Sequence, residues 1–160
     1  MADTVFSRAA HIADGWFPPL DARLWQLYRE ECIALGKQDP GTYPQQGPIF
    51  LWVAHEPERA WNMVMPHVLH QLKSYSEWTI EAFGRPAGPY AFAMTEDNIR
   101  RSPAYRVLTP EQTVALAEEL GPHSVLYLNP LLAGIDPAES LCMLRLFEDQ
   151  VLPHLTALRQ

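Results

Sequence analysis

Ile49-Phe50-Leu51-Trp52-Val53-Ala54 is an unbroken apolar run of strand length, and it does not alternate with polar residues. A strand with one wet face would alternate, so both faces of this one are expected to be covered, as in a parallel sheet flanked by helices. A buried helical segment is the competing reading, but the β-branched and aromatic content favours a strand. Val125-Leu126-Tyr127-Leu128 reads the same way. Buried strands alternating with helical segments predict an α/β chain with a parallel sheet.

The helical segments carry their own start and stop signals. Residues 5–13 read as a short helix ending at the turn Asp14-Gly15, followed by a very short strand at Trp16-Phe17 that Pro18-Pro19 stops. Asp21 can cap the next helix, whose apolar positions Leu24, Leu27, Tyr28 and Leu35 fall at helical spacing before Gly36 ends it. Residues 37–48 are expected to be loop. Pro57 suits the first turn of a long helix reaching to about Phe83, with a stripe through Trp61, Val64, Val68, Leu72 and Tyr75 and a kink expected at Pro66. Trp61, Tyr75 and Trp78 sit at core spacing and are expected to pack inside rather than cage a ligand.

Residues 84–105 are rich in Pro and Gly, with one helical piece near residues 96–101. Thr109-Pro110-Glu111-Gln112 has the chemistry of a capping box, and that helix should end at Leu120-Gly121. Asp136-Pro137-Ala138-Glu139 starts the last helix, whose buried side is expected to be Leu141, Leu144, Phe147, Val151 and Leu155. The whole chain, 1–160, reads as a single domain. Three strands alone cannot close a barrel, since an eight-stranded one usually needs about 250 residues.

A net charge of −7 and a pI near 5.3 speak against nucleic acid or an anionic membrane as the main partner. No apolar run is long enough to span a bilayer, and Asp3, Arg8 and Asp14 interrupt any signal-peptide core. Cys32 and Cys142 lie far apart, which suits reduced thiols in a cytoplasmic protein. Charged residues make up only 19% of the chain against an aromatic content of 11%, a balance that fits either an aromatic-rich core or an interface.

Three stretches, taken in order, resemble the luciferase-like monooxygenase family. Ser7-Arg8-Ala9-Ala10-His11-Ile12-Ala13-Asp14-Gly15-Trp16-Phe17 is similar to the family's helix-to-strand passage. Leu27-Tyr28-Arg29-Glu30-Glu31-Cys32, with Gly36 after it, is similar to its next helix. Tyr105-Arg106-Val107-Leu108-Thr109-Pro110-Glu111 and then Leu128-Asn129-Pro130-Leu131-Leu132-Ala133-Gly134 are similar to its last βα unit. The resemblance implies part of a TIM-type (β/α)₈ barrel, about strands six to eight, incomplete as a single chain. It also implies FMN or the deazaflavin F420 as cofactor, a small-molecule substrate, and monooxygenation or hydride transfer as the activity. The first five strands lie outside the chain on this reading, and Met1-Ala2-Asp3-Thr4 stands where the family has a Gly-rich turn. Open sheet edges would then be met by a homodimer or by a separately encoded N-terminal half-barrel. A non-catalytic binding or interaction protein derived from that barrel is the alternative.

Reacting groups of such barrels sit at the carboxyl ends of strands. Those ends here fall at residues 16–18, 54–56 and 129–134. His55 is the catalytic candidate, as a proton donor or a polar contact to flavin or substrate, against the reading of an ordinary loop histidine. Asn129 and Gly134 are the cofactor-binding candidates: the first could aim an amide at a flavin edge or merely hold a turn, and the second could admit a ligand or merely satisfy a positive φ. His67 and His70 are three apart on a helix, but a metal site would need a third ligand such as His55 or Glu56, and none is expected. Ser124 and Ser140 lack the turn of a serine nucleophile.

Overall fold

The computed structural model describes residues 4–19, 21–87 and 95–157. Its elements are α1 (Val5–Ile12), α2 (Ala22–Ala34), β1 (Phe50–Val53), α3 (Pro57–Phe83), α4 (Glu96–Arg101), β2 (Tyr105–Leu108), α5 (Pro110–Leu120), α6 (Pro137–Gln150) and α7 (Leu152–Ala157), with a 3-10 turn at Leu132–Gly134. The class is therefore mixed α/β, mostly helical, with a small parallel sheet. Among the described residues no helix is long and apolar enough to cross a membrane. The sequence reads as one domain; in the structure the chain groups into two compact units, Met1–Gln45 and Gln46–Gln160.

The first unit is a helical hairpin with an aromatic centre. Asp21 caps α2 by accepting the Arg23 N–H at 2.8 Å, and Gly36, at φ 70°, allows the turn that ends it. Trp25, Tyr28 and Cys32 fall one turn apart on α2 and are buried with Ala10 of α1. Trp16 lies edge-on to Tyr28, with ring centroids 5.2 Å apart. That contact, with two prolines directly after it, explains why Trp16-Phe17 is not the short strand expected: Pro18 and Pro19 have no N–H to give a ladder. The chain beyond α2 is tied back by side chains. Trp25 Nε1 donates to the Gly41 carbonyl at 3.1 Å, and the Tyr43 hydroxyl donates to the Pro19 carbonyl at 2.8 Å. Arg29 forks onto Asp39 at 2.7 Å through both oxygens; these bonds, with the Gly41 N–H, hold the Asp39 carboxyl down to about 2.

The second unit is built around β1. All four of its residues are buried, as an apolar run without alternation requires. It pairs in parallel with β2 in the register Phe50↔Tyr105, Leu51↔Arg106, Trp52↔Val107 and Val53↔Leu108. Its other edge meets residues 125–128, also in parallel, but only through the bridges Gln46↔Val125 and Leu51↔Leu128. Two features keep that segment from becoming the continuous strand expected. The bridges are unequally spaced on the two segments, and Pro48 between them cannot donate. The strand that does form, β2, has alternating burial with Arg106 exposed, the pattern of a short edge strand.

α3 runs from Pro57 through Pro66 without a break. The helix tolerates Pro66 because the residue is exposed, and so is Asn62, whose carbonyl loses its donor there. Trp61, Val64, Val68 and Leu72 are buried as the stripe predicts, but Tyr75 and Trp78 are exposed: nothing is buried beyond Leu72. α6 likewise departs from expectation at Leu141, which is exposed, while Met143 and Ser140 are the residues it buries. The Pro- and Gly-rich stretch between residues 84 and 105 falls partly on residues 88–94, outside those described; α4 forms where the helical piece is expected, with Ile99 buried against the core.

The other two predicted caps, at Thr109 and Asp136, also form. Thr109 and Gln112 make a reciprocal capping box at 3.2 and 3.0 Å, and Asp136 accepts the Ala138 N–H at 2.8 Å. Thr109→Ala and Asp136→Ala are each expected to lower stability by about 1 kcal/mol, since each strands a first-turn N–H. Urea unfolding followed by circular dichroism checks this; unchanged midpoints in both variants would contradict the caps.

Candidate functional site

β1 delivers Ala54, His55 and Glu56 to its carboxyl end before Pro57 opens α3. The Ala54 N–H donates to the Leu108 carbonyl at 2.9 Å, so the ladder with β2 reaches this point and no further. A cleft of about 680 Å³ begins there, within the range of small-molecule sites.

Its walls are two helix faces with the same spacing. Glu56, Arg59, Ala60 and Met63 stand at i, i+3, i+4 and i+7 at the start of α3, and Glu139, Cys142, Met143 and Leu146 repeat that pattern on α6. One stripe of a helix carries such positions, so each helix turns a single face to the cleft. Trp52, Val53, Ala60 and Met143 are buried and make an apolar floor. His55, Glu56, Arg59, Glu139 and Cys142 are exposed and make a polar rim.

Electrostatics around the rim are mixed. His55 faces the first turn of α5, where it contributes to holding the Glu111 carboxyl below its ordinary range; the larger causes are hydrogen bonds from the Thr109 hydroxyl and from the Glu111 backbone N–H. Among the described residues Arg59 forms no ion pair within 4.0 Å, which leaves its guanidinium available to a ligand. The carboxylates of Glu56 and Glu139 stand on the same rim, so an arriving anion meets attraction and repulsion together.

The other candidates lie elsewhere. Asn129 is half-buried beyond the second bridge and does not line the cleft. Gly134 has φ 83°, a left-handed turn that glycine adopts freely, and only open space within 4 Å of where a Cβ would be. His67 is engaged: its Nδ1 lies 3.0 Å from the carbonyl of Ala133, a residue at φ 40°. His70 is exposed, and no group of three metal-ligating side chains occurs among the described residues. Ser140 is buried and donates to the Pro130 and Asp136 carbonyls, a structural role that ties α6 to the loop before it.

Sequence reasoning thus reaches His55 and Glu56 and misses the rest of the cleft. The signal was present on each helix, as the i, i+3, i+4, i+7 series counted from Glu56 and from Glu139, but nothing local says that the two series face each other. No protein-family model, curated protein or solved structure matches the chain.

Proposed function

We propose that the chain is the C-terminal portion of a luciferase-like, flavin-dependent oxidoreductase, incomplete alone, whose strands are about the sixth to eighth of a (β/α)₈ barrel. The observation that carries the reading is the cleft at the carboxyl end of a buried parallel strand, the end at which βα folds bind their ligands. Its volume and apolar floor fit a flat ring system. When bound, FMN or F420 supplies the monooxygenation or hydride-transfer chemistry. The share of this chain is placement and electrostatics: Trp52 and Met143 keep water from the floor, Arg59 offers a cation at the rim, and His55 is placed to hold or deliver a proton. Glu56 and Glu139 beside Arg59 offset its pull on an anionic tail, which is why a weak site is expected from this chain by itself.

A second reading, a non-catalytic binding protein, is favoured by strand order. β1 lies between β2 and residues 125–128, whereas consecutive strands of a barrel neighbour one another in turn. An open sheet with its first strand central also places its ligand crevice at these carboxyl ends, and it needs no completing half.

Titrating the purified chain with FMN and with F420, followed by flavin fluorescence, tests the proposal. A dissociation constant of roughly a millimolar is expected, weakened further by His55→Ala and by Met143→Ala. Binding at micromolar concentration or tighter would overturn the incompleteness of the chain. Absence of any effect of either flavin at several times that level would overturn the flavin site and leave the binding-protein reading.

A further inference from the structure

The loop between residues 129 and 135 carries a strained backbone. Ala133 has φ 40° and ψ 47°, and among the described residues it is the one non-glycine with a positive φ. In that region an L-residue's Cβ crowds the following carbonyl, so the conformation persists only where the surroundings over-determine it. The surroundings that do so come from two helices. His67 Nδ1, on α3, lies 3.0 Å from the carbonyl oxygen of Ala133 itself. A carbonyl only accepts, so Nδ1 carries the proton and donates. The left-handed dihedrals aim that carbonyl at α3; a relaxed Ala133 would turn it away. From α6, the buried Ser140 hydroxyl donates to the Pro130 carbonyl. Leu132 and Ile135 are buried in the same core as Val64, Val68 and Met143.

We propose that this loop is a strap that sets the width of the cleft, with His67 and Ser140 as its positioning residues. Neither of them lines the cleft, but each stands beside a residue that does. His67 is one turn beyond Met63 on α3, and Ser140 directly follows Glu139 on α6. The strap runs straight into Asp136, the cap of α6, so a displaced strap carries the first turns of α6 with it. Glu139, Cys142 and Met143 then move against Glu56, Arg59 and Met63, which α3 keeps in place. Alanine at position 133 makes the strap releasable: once the His67 bond is lost, the strain favours a different turn, whereas a glycine would stay. The proposal rests on reading the cleft as the ligand site, but the width is measurable without any ligand.

Double electron–electron resonance across the cleft of the full chain tests it. One nitroxide sits on the native, exposed Cys142 and the other on Arg59→Cys, with Cys32→Ser removing the buried thiol. His67→Leu and Ser140→Ala are each expected to broaden the distance distribution and lengthen its mean by roughly 1–2 Å, the size of shift that packed helices undergo. His67→Asn, whose amide N–H replaces the Nδ1 donor, should keep the parent distance. Ala133→Gly added to His67→Leu should bring that distance back, because glycine holds the left-handed turn unaided. Thr109→Ala weakens the cap of α5 and touches neither anchor, so it separates lost stability from changed width and should leave the distance as it was. Should His67→Leu fail to fold, Ser140→Ala carries the test. Parent distances in both His67→Leu and Ser140→Ala overturn the proposal, as does an equal shift in Thr109→Ala. Since no ligand is present, a chain that binds neither flavin counts against the flavin site and not against the strap.

Discussion

Phe50→Ala is expected to lower the stability of the second unit by about 3–5 kcal/mol, the cost of deleting a fully enclosed aromatic ring and leaving its cavity behind. Only 1% of the side chain is exposed, at the first position of the central strand. Its ring packs between Trp61 of α3, 6.5 Å away between centroids, and Tyr105 of β2, 6.2 Å away. Deleting it therefore removes contacts to a helix and to the neighbouring strand at once, and the remaining hole is lined by two stiff rings that relax poorly into it. Stabilities of single domains are typically about 5–15 kcal/mol, so the loss is a large share of the total. Phe50→Leu, which keeps most of the volume, should cost under about 1.5 kcal/mol. Urea titrations of the three proteins separate these cases. A midpoint shift for Phe50→Ala no larger than for Phe50→Leu would mean the ring does not occupy the centre of this core.

The parts of the fold legible in the sequence are those set within a few residues of themselves. α3 begins at Pro57 and ends at Phe83 as expected, because a proline at the start and a glycine free to adopt φ 71° at Gly84 are local instructions. The caps at Asp21, Thr109 and Asp136 are of the same kind. What failed depends on partners remote in sequence. β2 passes unnoticed because Arg106 interrupts its apolar pattern; it is a strand because β1 offers it a ladder. Residues 125–128 have the better strand composition and form less of one, because the edge they face carries Pro48. Tyr75 and Trp78 have core spacing, but periodicity only says which side of a helix is apolar and not whether anything arrives to cover it. The cleft divides along the same line. Being at the end of an evident strand makes His55 visible, while the opposite wall on α6 comes from helix packing that no short stretch of sequence encodes.

Gly47→Val is expected to lower stability by about 2–3 kcal/mol, the scale of forcing extra carbons into a filled space. This is the position where the loop before β1 touches the residue 125–128 segment most closely. The Gly47 N–H donates to the Val125 carbonyl at 2.9 Å, and the neighbouring Gln46 side chain accepts the Tyr127 hydroxyl at 3.0 Å. A Cβ at position 47 would lie 2.9 Å from Leu126 Cδ2, 3.2 Å from the Val125 carbonyl oxygen and 3.4 Å from Leu120 Cδ1. The leucine ends can rotate aside, but the carbonyl is backbone and already committed to the hydrogen bond. The strands must then separate at the one place where an irregular pairing is held by two bonds and two bridges. Gly47→Ala asks only the leucines and a few tenths of an ångström of backbone to give, so it should cost about 1 kcal/mol. The graded series is read by thermal unfolding, together with amide exchange at position 47, which should quicken in step with the loss of stability because that N–H is the bond being broken. Equal melting temperatures for wild type, Gly47→Ala and Gly47→Val would show that residues 125–128 do not lie against this loop, and the parallel neighbour of β1 on that edge would have to be withdrawn.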